Sequence, residues 1–311
     1  MLTRACTAAD ATPIFDLINT AARMDRIRGI SEHVFQQEFF CGPTGAVLDR
    51  AAVAIADNST PGGVIAGFAW WEPHGDMLIM QGWVHPNWRR QRAGTALLDA
   101  AESYARRHNF NQIAGQGYGE IPGIMPLFES RGYTSVHQHL MMTGTLIESR
   151  FEAPTPTGIT LKPFSGPELE KLVEADNLFF KDHWGWQAVS AEVWRRRLIE
   201  TRPHDPALWV IAWARDKNGG EQIVGECLAH ASQQGGPRDG WIGIVGVHPD
   251  WRGRGLGRAV LVHGLQNLQQ AGFETASLHV SSENIAALKL YQSQGMEVIR
   301  TRHHFRKGSR G

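Results

Sequence analysis

Apolar side chains recur at helical intervals through "ELEKLVEADNLFF" (168–180), at Leu169, Leu172, Val173, Ala175 and Leu178 to Phe180. That spacing predicts an amphipathic helix. "AEVWRRRLIE" (191–200) predicts a second, shorter one. The rhythm then changes. "ALWVIAWAR" (207–215) is a near-continuous apolar run of strand length, "DKNGG" (216–220) is turn chemistry, and "QIVGECLAH" (222–230) is the return strand of a hairpin. "WIGIVGVHP" (241–249) predicts a third strand, ended by Pro249. From Gly255 to Gln270 the helical period returns along Leu256, Val260, Leu261, Leu265 and Leu268. "TASLHV" (275–280), "NIAALKLYQSQG" (284–295) and "MEVIRTRHHF" (296–305) follow as strand, helix and strand. The order is α-α-β-β-β-α-β-α-β, a mixed α/β (α+β) fold with helices around one mostly antiparallel sheet.

The pattern occurs twice. "WVHPNWRRQRAGTALL" (83–98) matches "GVHPDWRGRGLGRAVL" (246–261), and "LFESRGY" (127–133) matches "LYQSQGM" (290–296). Trp88 and Trp251 stand 163 residues apart, as do Leu127 and Leu290. A constant offset over this length predicts two tandem copies of one domain. "ESRFEAPTPTGI" (148–159) holds two prolines and a glycine between the copies. The expected division is therefore residues 1–147, a linker at 148–158, and residues 159–311.

Composition narrows the field. At 311 residues the chain exceeds one typical core. A formal net charge of zero argues against a nucleic-acid or polybasic membrane role. The three cysteines, Cys6, Cys41 and Cys227, are scattered and include no C-x-x-C, so neither a disulfide framework nor a structural zinc site is expected. The 14 histidines are dispersed without H-E-x-x-H, and no metal is expected. "MLTRACTAADATPIFDLINTAARMD" has no apolar signal core, which predicts a cytoplasmic protein. Oligomeric state is left open.

"WRGRGLGRAV" (251–260) sets glycines and arginines where a strand turns into a helix, a place suited to an anion. No glycine is followed by Lys and then Ser or Thr, so it is not a P-loop. A dinucleotide fingerprint started at Gly253 or Gly255 ends on Arg258 or Val260, and the strands before it look antiparallel. What remains is Arg252-x-x-Gly255-x-Gly257. It resembles the acetyl-CoA signature of the GCN5-related N-acetyltransferase superfamily. "ENIAALKLYQSQGM" resembles the same family's N-x-x-A-x-x-x-Y-x-x-x-G-F element, with Met296 in place of Phe.

The resemblance implies an acetyl-CoA site in the second copy. Val245, Gly246 and Val247 would hold the pantetheine, and Arg252, Gly253, Arg254, Gly255, Leu256, Gly257 and Arg258 the pyrophosphate. Asn284, Ala287 and Lys289 would lie along the coenzyme arm, with Tyr291 as general acid. The two-copy layout is similar to tandem acetyltransferases of the mycothiol synthase type, whose C-terminal copy acetylates a cysteinyl glycoside. Where that type carries a Glu base on the strand before the loop, this chain has Trp241. His279 matches a substrate-contacting position.

An ammonium of pKa ~10 is almost wholly charged at pH 7, so a base is expected. Glu226 is the first candidate, His279 through water the second, and Asp182 the third. "FFKDHWGW" (179–186) is expected to shape the acceptor pocket through Asp182, His183 and Trp184, together with Trp241 and His279. The acceptor is read as a small-molecule or peptide amine. A non-catalytic acetyl-CoA sensor and a mycothiol-synthase-like activity stay as alternatives.

The first copy departs. At the constant offset Gly255 falls on Arg92, Asn284 on Ile121 and Tyr291 on Phe128. A shifted match, Gln91-x-x-Gly94-x-Ala96, lies two residues out of register. Without a Tyr hydroxyl this copy is expected to be non-catalytic.

Overall fold

The computed structural model describes residues 1–27, 29, 30, 32, 35, 36, 50–57, 63–195, 205–216, 219–232 and 238–308. Cys41, residues 196–200 of the predicted second helix and residues 217 and 218 of the predicted turn lie outside the described residues. The chain divides into two compact units, residues 1–139 with 300–311, and residues 140–299.

The first unit runs β1 (Leu2–Ala5), α1 (Ala11–Asp25), β2 (Ala51–Asp57), β3 (Val64–His74), β4 (Met77–Val84), α2 (Ala93–Arg107), β5 (Gln112–Tyr118) and α3 (Ile124–Glu129), followed by the start of β6 (Thr134–Thr145). Its sheet order is β1-β2-β3-β4-β5, completed by residues 302–308, which pair antiparallel with Gln112 to Tyr118 of β5. Two-residue alternation along β2 builds a core on each face. Ala52 and Ala54 meet Leu97, Leu98 and Ala101 of α2, while Val53 and Ile55 meet Ile14, Leu17 and Ile18 of α1. Each large aliphatic side chain so enclosed contributes roughly 1.5–3 kcal/mol. His137, His139 and His304 also gather here. The His139 ring lies 4.9 Å from each of the other two, and a hydrogen bond of 2.9 Å joins His139 Nδ1 to His304 Nε2.

The second unit contains β7 (Ile159–Lys162), α4 (Leu169–Phe180), α5 (Ala191–Trp194), β8 (Trp209–Arg215), β9 (Glu221–Ala231), β10 (Asp239–Val247), α6 (Leu256–Gln270), β11 (Thr275–Ser281) and α7 (Ile285–Gln292). Its sheet order is β11-β10-β9-β8-β7, with residues 140–145 of β6 beside β11. There Thr143 Oγ1 donates to the Ala276 carbonyl at 3.3 Å and accepts from Ser277 Oγ at 3.0 Å. The pairings β1–β2, β2–β3, β3–β4, β7–β8, β8–β9 and β9–β10 are antiparallel, while β4–β5 and β10–β11 are parallel. The mixed, mostly antiparallel architecture expected from the pattern is present. β7 was not foreseen: four residues are too few to establish a period. The last strand, β12 (Glu297–Gly308), follows α7. The division into units falls at other positions than the repeat: residues 140–147 lie in the second unit and 300–308 in the first. No helix among the described residues is long and apolar enough to cross a membrane.

Candidate active site

β10 and β11 pair in parallel only where Asp239 to Trp241 meet Thr275 to Ser277. Toward Val247 they part, while β10 keeps its antiparallel pairing with β9 as far as Val247–Gly225. A register shift between Ile242 and Ile244 lies in this stretch and re-aims the strand. One edge of β10 at Val245, Gly246 and Val247 is thus left for backbone pairing with an extended ligand.

The open edge leads into the glycine loop. Gly253 and Gly255 adopt left-handed backbone, with φ of 72° and 81°, a conformation that costs glycine least. Gly255 is the N-cap of α6, and no side chain caps that helix end. The first N–H groups of α6 are therefore offered to an anion along with the helix dipole. Arg252 is bound to the chain itself: Nε donates to the Val247 carbonyl at 3.1 Å and Nη2 to the Phe179 carbonyl at 2.8 Å. It braces the loop against the end of α4. Arg254 sits over the Trp251 ring, 5.0 Å from its centroid, and Arg258 is exposed.

Successive residues of β9 serve opposite faces of the sheet. Gly225 and Cys227 point to α6: a Cβ on Gly225 would touch Leu256, and the Cys227 sulfur fills the space beside Gly264. Tyr291, buried in α7, lies near Cys227. Burial, with Cys227 second, raises the Tyr291 hydroxyl above its usual range, so it stays protonated. Burial also pushes the Cys227 thiol up to about 12.

Glu226 points the other way, toward α4, and is fully enclosed. Among the described residues, no N–H or O–H group donates a hydrogen bond to either of its oxygens. Its polar neighbour is the carboxyl of Asp176 on α4, a contact that becomes a hydrogen bond only when the pair holds a proton. Burial first, then Asp176, raise Glu226 well above the carboxylate range. Burial pushes Asp176 up to about 6, against opposing hydrogen bonds from Glu226 and Trp194. Asp176 is the site residue the sequence reading missed. The signal was present: it stands three and four residues after Val173 and Leu172, on the apolar face of an amphipathic helix.

Trp241 and His279 come together, rings 4.9 Å apart and edge-on. Trp241 pairs with His230 of β9 on the Glu226 side of the strand. Asp182, His183 and Trp184 are exposed in the loop after α4. His183 packs edge-on against Phe180 at 4.8 Å, and burial, then Arg252, lower its basicity. Asn177 folds this loop back, its amide exchanging two 2.9 Å hydrogen bonds with the backbone of Val189. Asn284 caps α7, its Oδ1 accepting from the Ala287 N–H at 3.1 Å; Lys289 is exposed on the same helix.

The first unit repeats the loop geometry with different residues. Arg90 and Arg92 hold left-handed φ values of 61° and 70° at the positions of Gly253 and Gly255, and Arg92 is the N-cap of α2. The cap falls on Arg92, and Gly94 of the shifted match lies inside the helix. Phe128 stacks on Phe305 at 4.3 Å, a packed core ring without a hydroxyl. α3 begins after Gly123, with no side-chain cap at its N-terminus.

A family model described as "Acetyltransferase (GNAT) family" matches residues 22–117 and again 169–296. A mycothiol acetyltransferase of Geodermatophilus obscurus is 30% identical over 303 residues, covering 95% of this chain and 92% of that protein. A GCN5-related N-acetyltransferase from Sphaerobacter thermophilus superposes with TM-score 0.74 at 27% identity, covering 100% of this chain and 96% of the other. A tandem GNAT protein from the clavulanic acid biosynthesis pathway superposes with TM-score 0.72 at 16% identity, covering 100% and 98%, a likeness of fold.

Proposed function

The chain belongs to the acetyltransferase (GNAT) family, and from that premise we propose that its second copy, residues 159–311, moves an acetyl group from acetyl-CoA to a primary amine. The first copy, residues 1–147, carries no chemistry in this reading. The observation behind it is the continuity of three features in one unit: the open edge of β10, the uncapped start of α6 after Gly255, and Tyr291 on the α6 side. The residues suit the coenzyme. Extended backbone at Val245, Gly246 and Val247 matches pantetheine amides, and the glycine loop with its bare helix end matches a pyrophosphate. Lys289 and Arg258 supply exposed charge beside them.

When bound, acetyl-CoA supplies the acetyl group as a thioester. The chain polarises its carbonyl through β10 backbone N–H groups and protonates the departing sulfur from Tyr291. The acceptor's proton passes to the carboxyl site built around Glu226, on the opposite face of the sheet from Tyr291. The acceptor enters over Trp241, His279 and the loop of Asp182, His183 and Trp184. Because Trp241 stands where the mycothiol synthase type carries glutamate, the acceptor is an amine other than a cysteinyl glycoside. Coenzyme A release from acetyl-CoA across a panel of primary amines tests this. Tight acetyl-CoA binding with no amine-dependent release leaves a sensor instead.

A further inference from the structure

Glu226 is an awkward base by itself. A side chain with no exposed surface has no way to meet an acceptor, and a carboxyl without an N–H or O–H donor among the described residues is costly to enclose. Removing such a liability would take one substitution, so what surrounds it is informative. From α4 come Asp176, Phe179 and Phe180; from β10 comes Gly246; from β8 comes Ile211, the strand partner of Glu226. Among these only Asp176 is titratable; Cys227, the next residue of β9, faces the opposite side of the strand, and His230 shares the Glu226 face four residues along. Asp176 differs from Glu226 in being only partly buried. It receives a hydrogen bond from Trp194, and its neighbour Asn177 anchors the loop carrying Asp182, His183 and Trp184.

We propose that Asp176 and Glu226 form a two-carboxyl base sharing one proton, in which Asp176 meets the ammonium of a primary alkylamine acceptor and Glu226, enclosed behind it, stores the proton. The proposal rests on the acetyl-transfer reading above and names the residue that touches the acceptor. Two adjacent carboxyls cannot both ionise cheaply, so the resting pair carries one negative charge and one proton. An arriving R–NH3+ neutralises that charge and gives a proton to Asp176, leaving R–NH2. The nitrogen lone pair then forms the C–N bond while the C–S bond breaks. Of the two protons the nitrogen gives up, one stays on the carboxyl pair and leaves to solvent after turnover. The other ends on the coenzyme A sulfur, relayed by Tyr291. No oxidant or metal is required. Glu226 is a positioning residue: it tunes Asp176 and does not touch the substrate.

The test uses the full chain in two arms. In the first, carboxyl carbons of Asp and Glu are labelled with carbon-13 and titrated by NMR without any acceptor. Asp176 should titrate near pH 6, and Glu226→Leu, which removes the carboxyl whose hydrogen bond opposes that rise, should move the step further up. Asp176→Asn should lower the Glu226 step. Two independent, ordinary titrations overturn the proposal. In the second arm coenzyme A release is followed at pH 7.5 with n-propylamine-type alkylamines and with a weakly basic alkoxyamine that is already neutral. Asp176→Asn should cut kcat/KM about 10²-fold for alkylamines, and far less for the alkoxyamine, with acetyl-CoA Kd unchanged within twofold. An equal loss for both amines removes the base role. If no amine elicits release from the wild-type chain, the acceptor reading itself has failed, while the NMR arm still decides whether the carboxyls share a proton.

Discussion

Glu226 and Gly246 face each other across β9 and β10, and Glu226 Oε1 lies 2.8 Å from the point where a Cβ on Gly246 would stand. Phe179 and Phe180 close the same space at 2.7 and 3.0 Å. Gly246→Ala must therefore shift a ring or the carboxyl, at a cost of about 1–3 kcal/mol. Gly243→Ala, whose new Cβ would meet only ordinary contacts at 3.5 Å or more, should lose less. Urea unfolding of both variants compares them, and equal losses would show that the Glu226 pocket is not tightly filled.

Gly255→Arg copies into the second unit what Arg92 already does in the first. Arg92 shows that an arginine holds the left-handed cap, so the variant should fold, with about 1 kcal/mol of backbone strain. Acetyl-CoA affinity should fall tenfold to a hundredfold, roughly 1.5–3 kcal/mol. Calorimetry on the wild-type chain should find one tight site. Two sites of similar affinity would mean that Arg92 serves phosphate as well as glycine does.

Tyr291→Phe keeps a buried ring and removes the hydroxyl. Its effect should appear in kcat, about 10²-fold down, with acetyl-CoA Kd nearly level. Wild-type turnover under chemistry-limited conditions would pass the sulfur's proton to another donor.

The histidines of the first unit predict acid sensitivity. Burial, then Arg302 and His137, lower His139 from the ordinary 6.5 to about 4; burial, then His139, Arg302, His137 and His303, lower His304 to about 3. Above pH 6.5 both are neutral in the folded and unfolded chain, and their contribution is fully present. As pH falls the unfolded chain gains protons that the folded one refuses. Stability should drop through pH 6.5 to 4, by at most about 1.4 kcal/mol per pH unit for each histidine. Thermal unfolding at pH 7 and 4.5 measures the drop, and His304→Gln should make it shallower. An unchanged slope in that variant would assign the loss to other groups.

Local chemistry was readable from the sequence because it depends on short spacings. The strand–glycine–helix junction at 247–258 and the apolar face of α6 follow from neighbours a few residues apart. Asp176 was overlooked because its meaning depends on Glu226, fifty residues away, and on the sheet register that places one over the other. Arg92 reads as a lost glycine, yet the backbone it holds is nearly that of Gly255, a likeness that side-chain identity conceals. β7 has too few residues for a period, and the placement of residues 302–308 is a matter of strand pairing that periodicity leaves undetermined.

That placement sets a timetable for synthesis. β5 finds the antiparallel partner for Gln112 to Tyr118 in residues 302–308, which the ribosome makes only after all of the second unit. At 5–20 residues per second the stretch from 140 to 299 takes on the order of 10–30 s. Throughout that interval the earlier-born unit waits with one strand edge uncovered, a template for stray pairing. A premature stop near residue 300 would consequently harm the unit at the other end of the message, sparing the β10 edge and the α6 loop while leaving nascent β5 exposed to aggregation.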